Sequence, residues 1–200
     1  MKNLKQPLYV IILFTLFSAG IPIILNNTNH ASILGEIDNR AYILFASQVL
    51  NRSKTIQYVY IDSVGGFVED GFRIMNVLSS LPNITCIAVK AYSMAFIILQ
   101  VCPTRYVLST STLMQHQMGA QIDGDISRMS ESMHFLHAQN DYVQQLQANR
   151  LNVTKEWFDN RTRDEWWIFG NEILTTKCAD KIIPYVFCDN SMSFNDCPVV

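Results

Sequence analysis

The chain has 200 residues, of which 49% are hydrophobic and 16% charged, with a formal net charge of −2 at pH 7. This length suits one domain, whose core needs neither a metal ion nor a disulfide for stability. Because no basic run occurs, the composition argues against a nucleic-acid-binding protein. The five cysteines form no Cys-x-x-Cys pair, so we expect no zinc site and no other metal site.

The cysteines fall into two groups. Cys86 and Cys102 lie in apolar runs, and we predict that both are buried thiols. Cys178, Cys188 and Cys197 cluster near the C-terminus, where one disulfide could form in an oxidising compartment. The odd total leaves at least one thiol free or paired with another chain.

Residues 1–26 are interpreted as a signal peptide or a membrane anchor. Lys2 and Lys5 precede an apolar run, residues 8–25, that contains no charged residue. A helix of this length could span a bilayer. Because lysines precede the run, we expect an exported or membrane-anchored protein with its domain on the periplasmic or extracellular side. A buried N-terminal helix is the alternative, which the lack of a polar face disfavours.

Strand and helix patterns alternate along the rest of the chain. The predicted units are a linker over 27–32, a domain over 33–187 and a tail over 188–200. The predicted strands are 33–37, 58–61, 85–89, 106–108, 112–114 and 182–183. The predicted helices are 40–50, 68–81, 93–102, 126–150, 154–158 and 168–176. This alternation predicts an α/β fold with a mainly parallel sheet, preceded by an N-terminal hydrophobic segment.

Residues suited to nucleophilic catalysis follow three of the strands. Ser93 follows a strand and begins an apolar helix, so its hydroxyl would lie at a helix N-terminus, where an oxyanion is stabilised. The N–H of Met94 is a natural oxyanion donor, and Gly65 and Gly66 can bring N–H groups close to a ligand. His116 ends a strand and could act as the base. A hydrogen-bonded structural histidine is the alternative reading of that residue.

Four segments resemble motifs of the Clp protease proteolytic subunit. Residues 61–66 (Ile-Asp-Ser-Val-Gly-Gly) are similar to its Asn-Ser-Pro-Gly-Gly segment. Residues 91–95 (Ala-Tyr-Ser-Met-Ala) resemble its Ala-Ala-Ser-Met-Gly nucleophile segment, and residues 114–117 (Met-Gln-His-Gln) its Met-Ile-His-Gln segment. Arg163-Asp164 resembles the Arg-Asp pair before the last helix. The resemblance implies the ClpP/crotonase-like spiral of ββα units.

The resemblance also assigns roles to individual residues. These are Ser93 as nucleophile, His116 as base, Asp164 as orienting acid, Gly66 and Met94 as oxyanion-hole donors, and Gly65 and Gly119 as substrate-binding residues. Asp159 is the nearby substitute for Asp164. Judged from the residues alone, Asp164 would be a surface carboxylate paired with Arg161 or Arg163.

The activity implied is that of a serine endopeptidase acting through an acyl-enzyme, without a cofactor. A peptide or unfolded protein would be the substrate and a homo-oligomer the assembly, while an ATPase partner stays open. Val64 replaces the family's proline, and the large Tyr92 before Ser93 is expected to narrow the pocket. These departures motivate an alternative, a catalytically silent scaffold or subunit. A crotonase-like acyl-CoA enzyme is the weaker alternative.

Overall fold

The structure is a computed structural model that describes residues 22–199 except Ser53, Ser191, Phe194 and Asn195. Most of the predicted signal or anchor segment, residues 1–21, lies outside the described residues. Within the described part of the chain, no helix is long and apolar enough to cross a membrane. Ile23–Leu25, at the end of the apolar run, form a β-strand.

Eight strands and six helices make up the described residues. The strands are β1 (Ile23–Leu25), β2 (His30–Ile37), β3 (Tyr58–Gly66), β4 (Thr85–Tyr92), β5 (Thr104–Gln115), β6 (Trp166–Phe169), β7 (Lys181–Ile183) and β8 (Val186–Cys188). The helices are α1 (Asn39–Arg52), α2 (Val68–Ser79), α3 (Met94–Val101), α4 (Ile126–Leu151), α5 (Lys155–Arg161) and α6 (Glu172–Thr175).

A six-stranded, mostly parallel sheet organises the domain. Its strand order is β2-β3-β4-β5-β6, and β7 pairs with the first half of β5. Every pairing is parallel except that of β5 with β6. The predicted α/β class with a mainly parallel sheet is therefore confirmed. The predicted strands 106–108 and 112–114 are parts of one continuous strand, β5.

Helix α3 lies at the centre of the core. Its first seven residues are buried, which agrees with the prediction from an apolar run without a polar face. The helix packs against β3, β4 and α2, so the main core lies between the helices and one face of the sheet. The other face carries a smaller cluster that includes Tyr60, Ile87 and residues of β1 and β8.

The helix predicted over 168–176 is wrong in its first half. Trp166–Phe169 form the antiparallel edge strand β6, with buried and exposed side chains in alternation. Gly170, with φ at 60°, ends the strand, and the shorter helix α6 follows. A short apolar run does not distinguish a strand from a helix, and here the aromatic residues favoured the strand.

The prediction of buried thiols at Cys86 and Cys102 is also wrong, because the two form a disulfide. Cys86 lies in β4 and Cys102 directly follows α3, so the disulfide joins the two elements that flank Ser93. A second disulfide joins Cys188 and Cys197, and Cys178 is free and buried. Burial raises the pKa of the Cys178 thiol to about 12, so the thiol is protonated at neutral pH.

The predicted linker and tail are partly folded. Residues 27–29 form a turn, but His30 to Ser32 already belong to β2. Strands β1 and β8 pair in parallel as a small separate sheet, from Ile23 opposite Val186 to Leu25 opposite Cys188. Residues before and after the predicted domain thus contribute to the same structure.

A buried arginine ties β5 to the chain before β7. Arg105 is 2% exposed, and its guanidinium donates to the carboxylate of Asp180 at 2.5 Å and 3.2 Å. Burial raises the pKa of Asp180, but the hydrogen bonds and positive charge of Arg105 outweigh this effect and lower the pKa overall. Arg150 of α4 adds a longer ion pair of 3.5 Å to the same carboxylate.

Only the second half of α4 packs on the domain. Val143, in the second half, is buried, whereas Met133, in the first half, is 48% exposed. Towards the N-terminus, Ile126 and Phe135 are 83% and 60% exposed. The first half of this 26-residue helix therefore extends beyond the core, while the second half lies above α3.

Candidate active site

Ser93 occupies a strained turn between β4 and α3. Its φ and ψ are 53° and −119°, a region that residues other than glycine rarely adopt. The Ser93 N–H donates to the carbonyl oxygen of Met114 at 2.9 Å, which fixes the turn to β5. A sharp strand-to-helix turn of this kind holds a nucleophile at the N-terminal end of a helix.

Backbone N–H groups lie around this turn, and that of Gly65 already donates to the Ser63 hydroxyl at 3.1 Å. Met94 is the first residue of α3, where N–H groups have no partner within the helix. Gly65 and Gly66 end β3 with φ values of 87° and 151°. A Cβ atom on Gly65 would lie 2.5 Å from the carbonyl oxygen of Tyr92 and 2.8 Å from the Cβ of Ser93. Glycine at this position therefore lets β3 pack directly against the Ser93 turn.

One cleft brings most of the sequence-predicted residues together. It has a volume of about 200 Å³, and we call it the Ser93 cleft. The sequence-predicted residues that line it are Gly66, Ser93, Met94, His116 and Gly119. Gly65 packs against Ser93 and does not line the cleft.

The imidazole of His116 is held by the backbone. Its Nδ1 atom lies 2.6 Å from the carbonyl oxygen of Gln117. Because a carbonyl oxygen only accepts hydrogen bonds, Nδ1 carries the proton of a neutral ring, and Nε2 keeps its lone pair. The His116 N–H in turn donates to the side-chain oxygen of Gln115 at 3.2 Å. The neutral ring thus has the tautomer that a general base requires.

A family model described as Clp protease matches residues 22–185. The chain belongs to the Clp protease family. The match covers more than three quarters of the sequence and includes β1, which lies before the segment that the sequence motifs had covered. No curated protein sequence matches the chain. Membership of the Clp protease family indicates a ClpP-like peptidase and agrees with the fold.

The Clp protease resemblance assigns the acid to Asp164, which lies between α5 and β6 in the segment that runs beside the end of β5. Gln115 pairs with Trp166, and the N–H of Gln117 donates to the carbonyl oxygen of Thr162 at 3.1 Å. Asp164 lies between these two contacts. Its side chain is exposed and has no hydrogen-bond or ion-pair partner among the described residues. The backbone is therefore close to His116, but the carboxylate does not join the Ser93 cleft.

The other charged residues near Asp164 are engaged elsewhere. Arg161 pairs with Glu172 at 3.0 Å, and Arg163 donates to Asn160 at 2.6 Å. One carboxylate oxygen of Asp159 accepts from Lys155 at 2.7 Å, while its other oxygen is buried without a partner among the described residues. The arginine pairing considered for Asp164 is therefore not found.

Four amide side chains line the Ser93 cleft, and sequence reasoning missed all of them. We call this set the amide wall: Gln115, Asn140, Gln144 and Gln147. One signal was present in the sequence, because Gln115 stands where the Clp protease motif has isoleucine. The other three residues recur every three or four positions along α4, which places them on one helix face.

Tyr92 lies outside the cleft, contrary to the expectation that it would narrow the pocket. Its hydroxyl forms a hydrogen bond of 2.8 Å with Thr112. Its ring packs edge-on against Trp167, with 5.0 Å between ring centroids. Val64 is 52% exposed and also lies outside the cleft. Neither substitution obstructs the space in front of Ser93.

Proposed function

We propose that the protein is a serine endopeptidase that hydrolyses peptide bonds through an acyl-enzyme on Ser93. The observation that carries the proposal is that Ser93, in its strained turn, and His116, in the basic tautomer, line one cleft. Membership of the Clp protease family supports the same reaction. No step requires a cofactor.

The reaction begins when the Ser93 Oγ attacks the substrate carbonyl carbon and Nε2 of His116 takes its proton. The N–H groups of Gly66 and Met94 donate to the oxyanion. His116 then gives the proton to the departing amine as the C–N bond breaks, which leaves the acyl-enzyme. A water molecule then attacks the ester carbonyl carbon while His116 takes its proton, and the imidazolium returns this proton to the Ser93 Oγ as the C–O bond breaks and the acid leaves.

Asp164 is proposed to orient the imidazole during this cycle. Its place in the segment between Thr162 and Trp166, which contact Gln117 and Gln115 on either side of His116, supports the assignment, although in this structure the Nδ1–H is bound to the carbonyl oxygen of Gln117. A change of partner from this carbonyl to the Asp164 carboxylate would stabilise the imidazolium that forms when Ser93 loses its proton.

Labelling with a fluorophosphonate probe tests the nucleophile directly. The wild-type protein should be labelled and the Ser93→Ala variant should not. Ser109→Ala is the matched control, because Ser109 is exposed on β5 away from the cleft, and its labelling should equal that of the wild type. Equal labelling of wild type and Ser93→Ala would overturn the proposal. Unlabelled wild type would favour a silent scaffold, and thioester turnover that survives Ser93→Ala would favour a crotonase-like enzyme.

We also propose that the chain assembles as a homo-oligomer and acts on peptides or unfolded proteins. The exposed surface of α1 supports assembly, since Ile43, Leu44 and Leu50 are 54%, 51% and 78% exposed. Light scattering after size-exclusion chromatography should give a mass several times that of one chain. The Leu50→Asp variant should shift the protein towards the monomer, and a monomeric wild type would contradict the proposal.

An oxidising location outside the cytosol is proposed on the basis of the disulfides. Two disulfides in 200 residues are typical of exported domains and unusual in the cytosol. Thiol trapping in the native cell should find four of the five cysteines protected until reduction. Five free thiols in the trapped protein would rule out this location.

A further inference from the structure

We infer that the Ser93 cleft selects substrates in which the residue that donates the attacked carbonyl has a neutral carboxamide side chain, with glutamine preferred. This inference rests on the proposed peptidase function and adds its substrate class. Gln144, in the amide wall, is assigned as the residue that determines specificity.

The hydrogen bonds of Gln115 and Gln147 fix the orientation of both amides. The Nε2 of Gln147 donates to the carbonyl oxygen of Val143 at 2.9 Å, so its Oε1 is left as an acceptor. That Oε1 accepts from Nε2 of Gln115 at 2.6 Å. The Oε1 of Gln115 accepts from the N–H of His116 at 3.2 Å. These two residues tie α4 to the backbone of the base, and each of their amide oxygens already has a donor, unlike that of Gln144.

The orientation of Gln144 follows from a second set of contacts. The N–H of Met118 donates to Oδ1 of Asn140 at 3.3 Å. The same Oδ1 also accepts from Nε2 of Gln144 at 3.5 Å, so the carboxamide oxygen of Gln144 points away from Asn140. Gln144 is 2% exposed, and its Oε1 has no hydrogen-bond partner among the described residues.

A buried carbonyl oxygen without a donor is unfavourable, so a ligand that supplies an N–H gains a strong interaction there. Gln144 forms part of the wall of the Ser93 cleft, but its Oε1 is covered in the free protein. The terminal torsion of a glutamine is soft, and a rotation about it turns this oxygen towards the cleft at the cost of only the long 3.5 Å contact between Nε2 and Asn140. The required substrate group is therefore a hydrogen-bond donor at the end of a side chain.

The remaining walls decide which donor fits. Val68, Met94, Ile97, Met118 and Val143 make much of the lining apolar, which suits an aliphatic stem. Among the described residues that line the cleft, there is no Asp, Glu, Lys or Arg. A lysine or arginine side chain would thus be desolvated without a counter-ion, whereas a neutral amide would not. The extra methylene of glutamine favours it over asparagine beside the apolar walls.

Turnover of matched peptides tests this inference. The peptides differ only at the residue before the cleaved bond, which is glutamine, methionine or lysine. In the wild-type protein, kcat/KM for the glutamine peptide should exceed that for the methionine peptide by on the order of tenfold, as one buried hydrogen bond predicts. The Gln144→Met variant should bring this ratio close to one. A wild-type ratio near one, or a ratio unchanged in Gln144→Met, would overturn the inference.

Two further variants sharpen the result. Gln145→Met is the matched control, because Gln145 is exposed on α4 and bonds to Asn149 on the outer surface. Its glutamine-to-methionine ratio should equal that of the wild type, and a ratio that collapses as in Gln144→Met would overturn the assignment to Gln144. Gln144→Glu keeps an acceptor and adds negative charge, so it should raise turnover of the lysine peptide relative to the glutamine peptide. An unchanged relative turnover would contradict the assignment.

Fluorophosphonate labelling separates failure of this inference from failure of the peptidase proposal. If the wild type is labelled, the turnover ratios decide the specificity. If it is not labelled, the peptidase proposal fails, and binding of the uncleaved peptides to the wild-type protein, measured by calorimetry, decides the specificity. Tighter binding of the glutamine peptide by on the order of tenfold, lost in Gln144→Met, would support the inference, and equal affinities would overturn it.

Discussion

The carbonyl oxygen of Gln117 accepts a hydrogen bond of 2.6 Å from the Nδ1 atom of its neighbour His116. A backbone carbonyl thus occupies the place that an acid has in a complete Ser-His-Asp arrangement. The carbonyl fixes the neutral tautomer as well as a carboxylate would. The carbonyl carries no full negative charge, however, so it stabilises an imidazolium less than a carboxylate does.

The Asp164→Asn variant should therefore lower kcat/KM by roughly a thousandfold or more, the scale seen when the orienting acid of a serine protease is replaced. Thermal unfolding should change little, because the Asp164 side chain is exposed and unpaired among the described residues. Glu165→Gln is the neighbouring control, since it can keep the contact of Glu165 with the Trp167 indole. Activity of Asp164→Asn within twofold of wild type would leave the Gln117 carbonyl as the orienting group.

Gly65→Ala should reduce peptide turnover about a hundredfold. The new Cβ would lie 2.5 Å from the Tyr92 carbonyl oxygen, so the Ser93 turn must move, and small displacements of reacting groups are costly. Gly35→Ala is the control for backbone strain alone, because Gly35 has a φ of 70° but no atom within 4 Å of an added Cβ. Steady-state kinetics with one peptide measures the turnover of both variants, and thermal melting curves measure their stability. If Gly65→Ala and Gly35→Ala lost peptide turnover equally, the cause would be backbone strain at a positive φ and not the contact of the new Cβ with Tyr92.

Replacement of both Cys86 and Cys102 by alanine should cost about 3 kcal/mol of the free energy of unfolding, the entropy of a cross-link over 16 residues. Urea denaturation of oxidised protein measures the difference. Peptide mapping without reduction should find the Cys86–Cys102 pair. Alkylation of Cys86 in unreduced, denatured protein would show that the pair does not form.

Asp180→Asn should destabilise the fold by about 2 kcal/mol at neutral pH, because Arg105 would be left buried without a carboxylate. The estimate is below that for a fully buried pair, since the Asp180 side chain is 38% exposed. The folded-state pKa of Asp180 is lowered, so its stabilisation is complete above the unfolded value of about 3.9 and is lost as pH falls through the folded value. The free energies of unfolding of the wild-type protein and of Asp180→Asn should therefore differ at pH 7. They should become equal in acid, where Asp180 is protonated. A difference in the free energy of unfolding that stays constant from pH 7 into acid would exclude titration of Asp180 as the cause.

The sequence predicted the elements that local pattern controls. The apolar run after Ser93 predicted the helix α3, and the strand predicted over 58–61 is the first part of β3, which continues to the double glycine. Some elements that depend on pairing between distant parts of the chain were not predicted. The edge strand β6 exists because Trp166–Phe169 pair with β5, although their short apolar run is equally suited to a helix.

Side-chain partners were harder to predict than elements. The Cys86–Cys102 disulfide depends on how α3 packs against β4, and sequence spacing does not reveal that contact. The amide wall depends on α4 lying beside the end of β5, where a glutamine replaces the isoleucine of the Clp protease motif. The resemblance assigned the acid to Asp164, but it did not predict that the Asp164 side chain would be exposed and outside the Ser93 cleft.

The pairing of β1 with β8 joins Ile23 to Val186 and Leu25 to Cys188. Such a pair cannot form on the ribosome until nearly the whole chain has been synthesised, since its two strands are separated by almost the entire domain. Until then Tyr60 and Ile87, which this small sheet covers, remain open to solvent. The first strand of the described structure is therefore among the last to be paired, and a nascent chain needs residues 186–188 to close that face of the sheet.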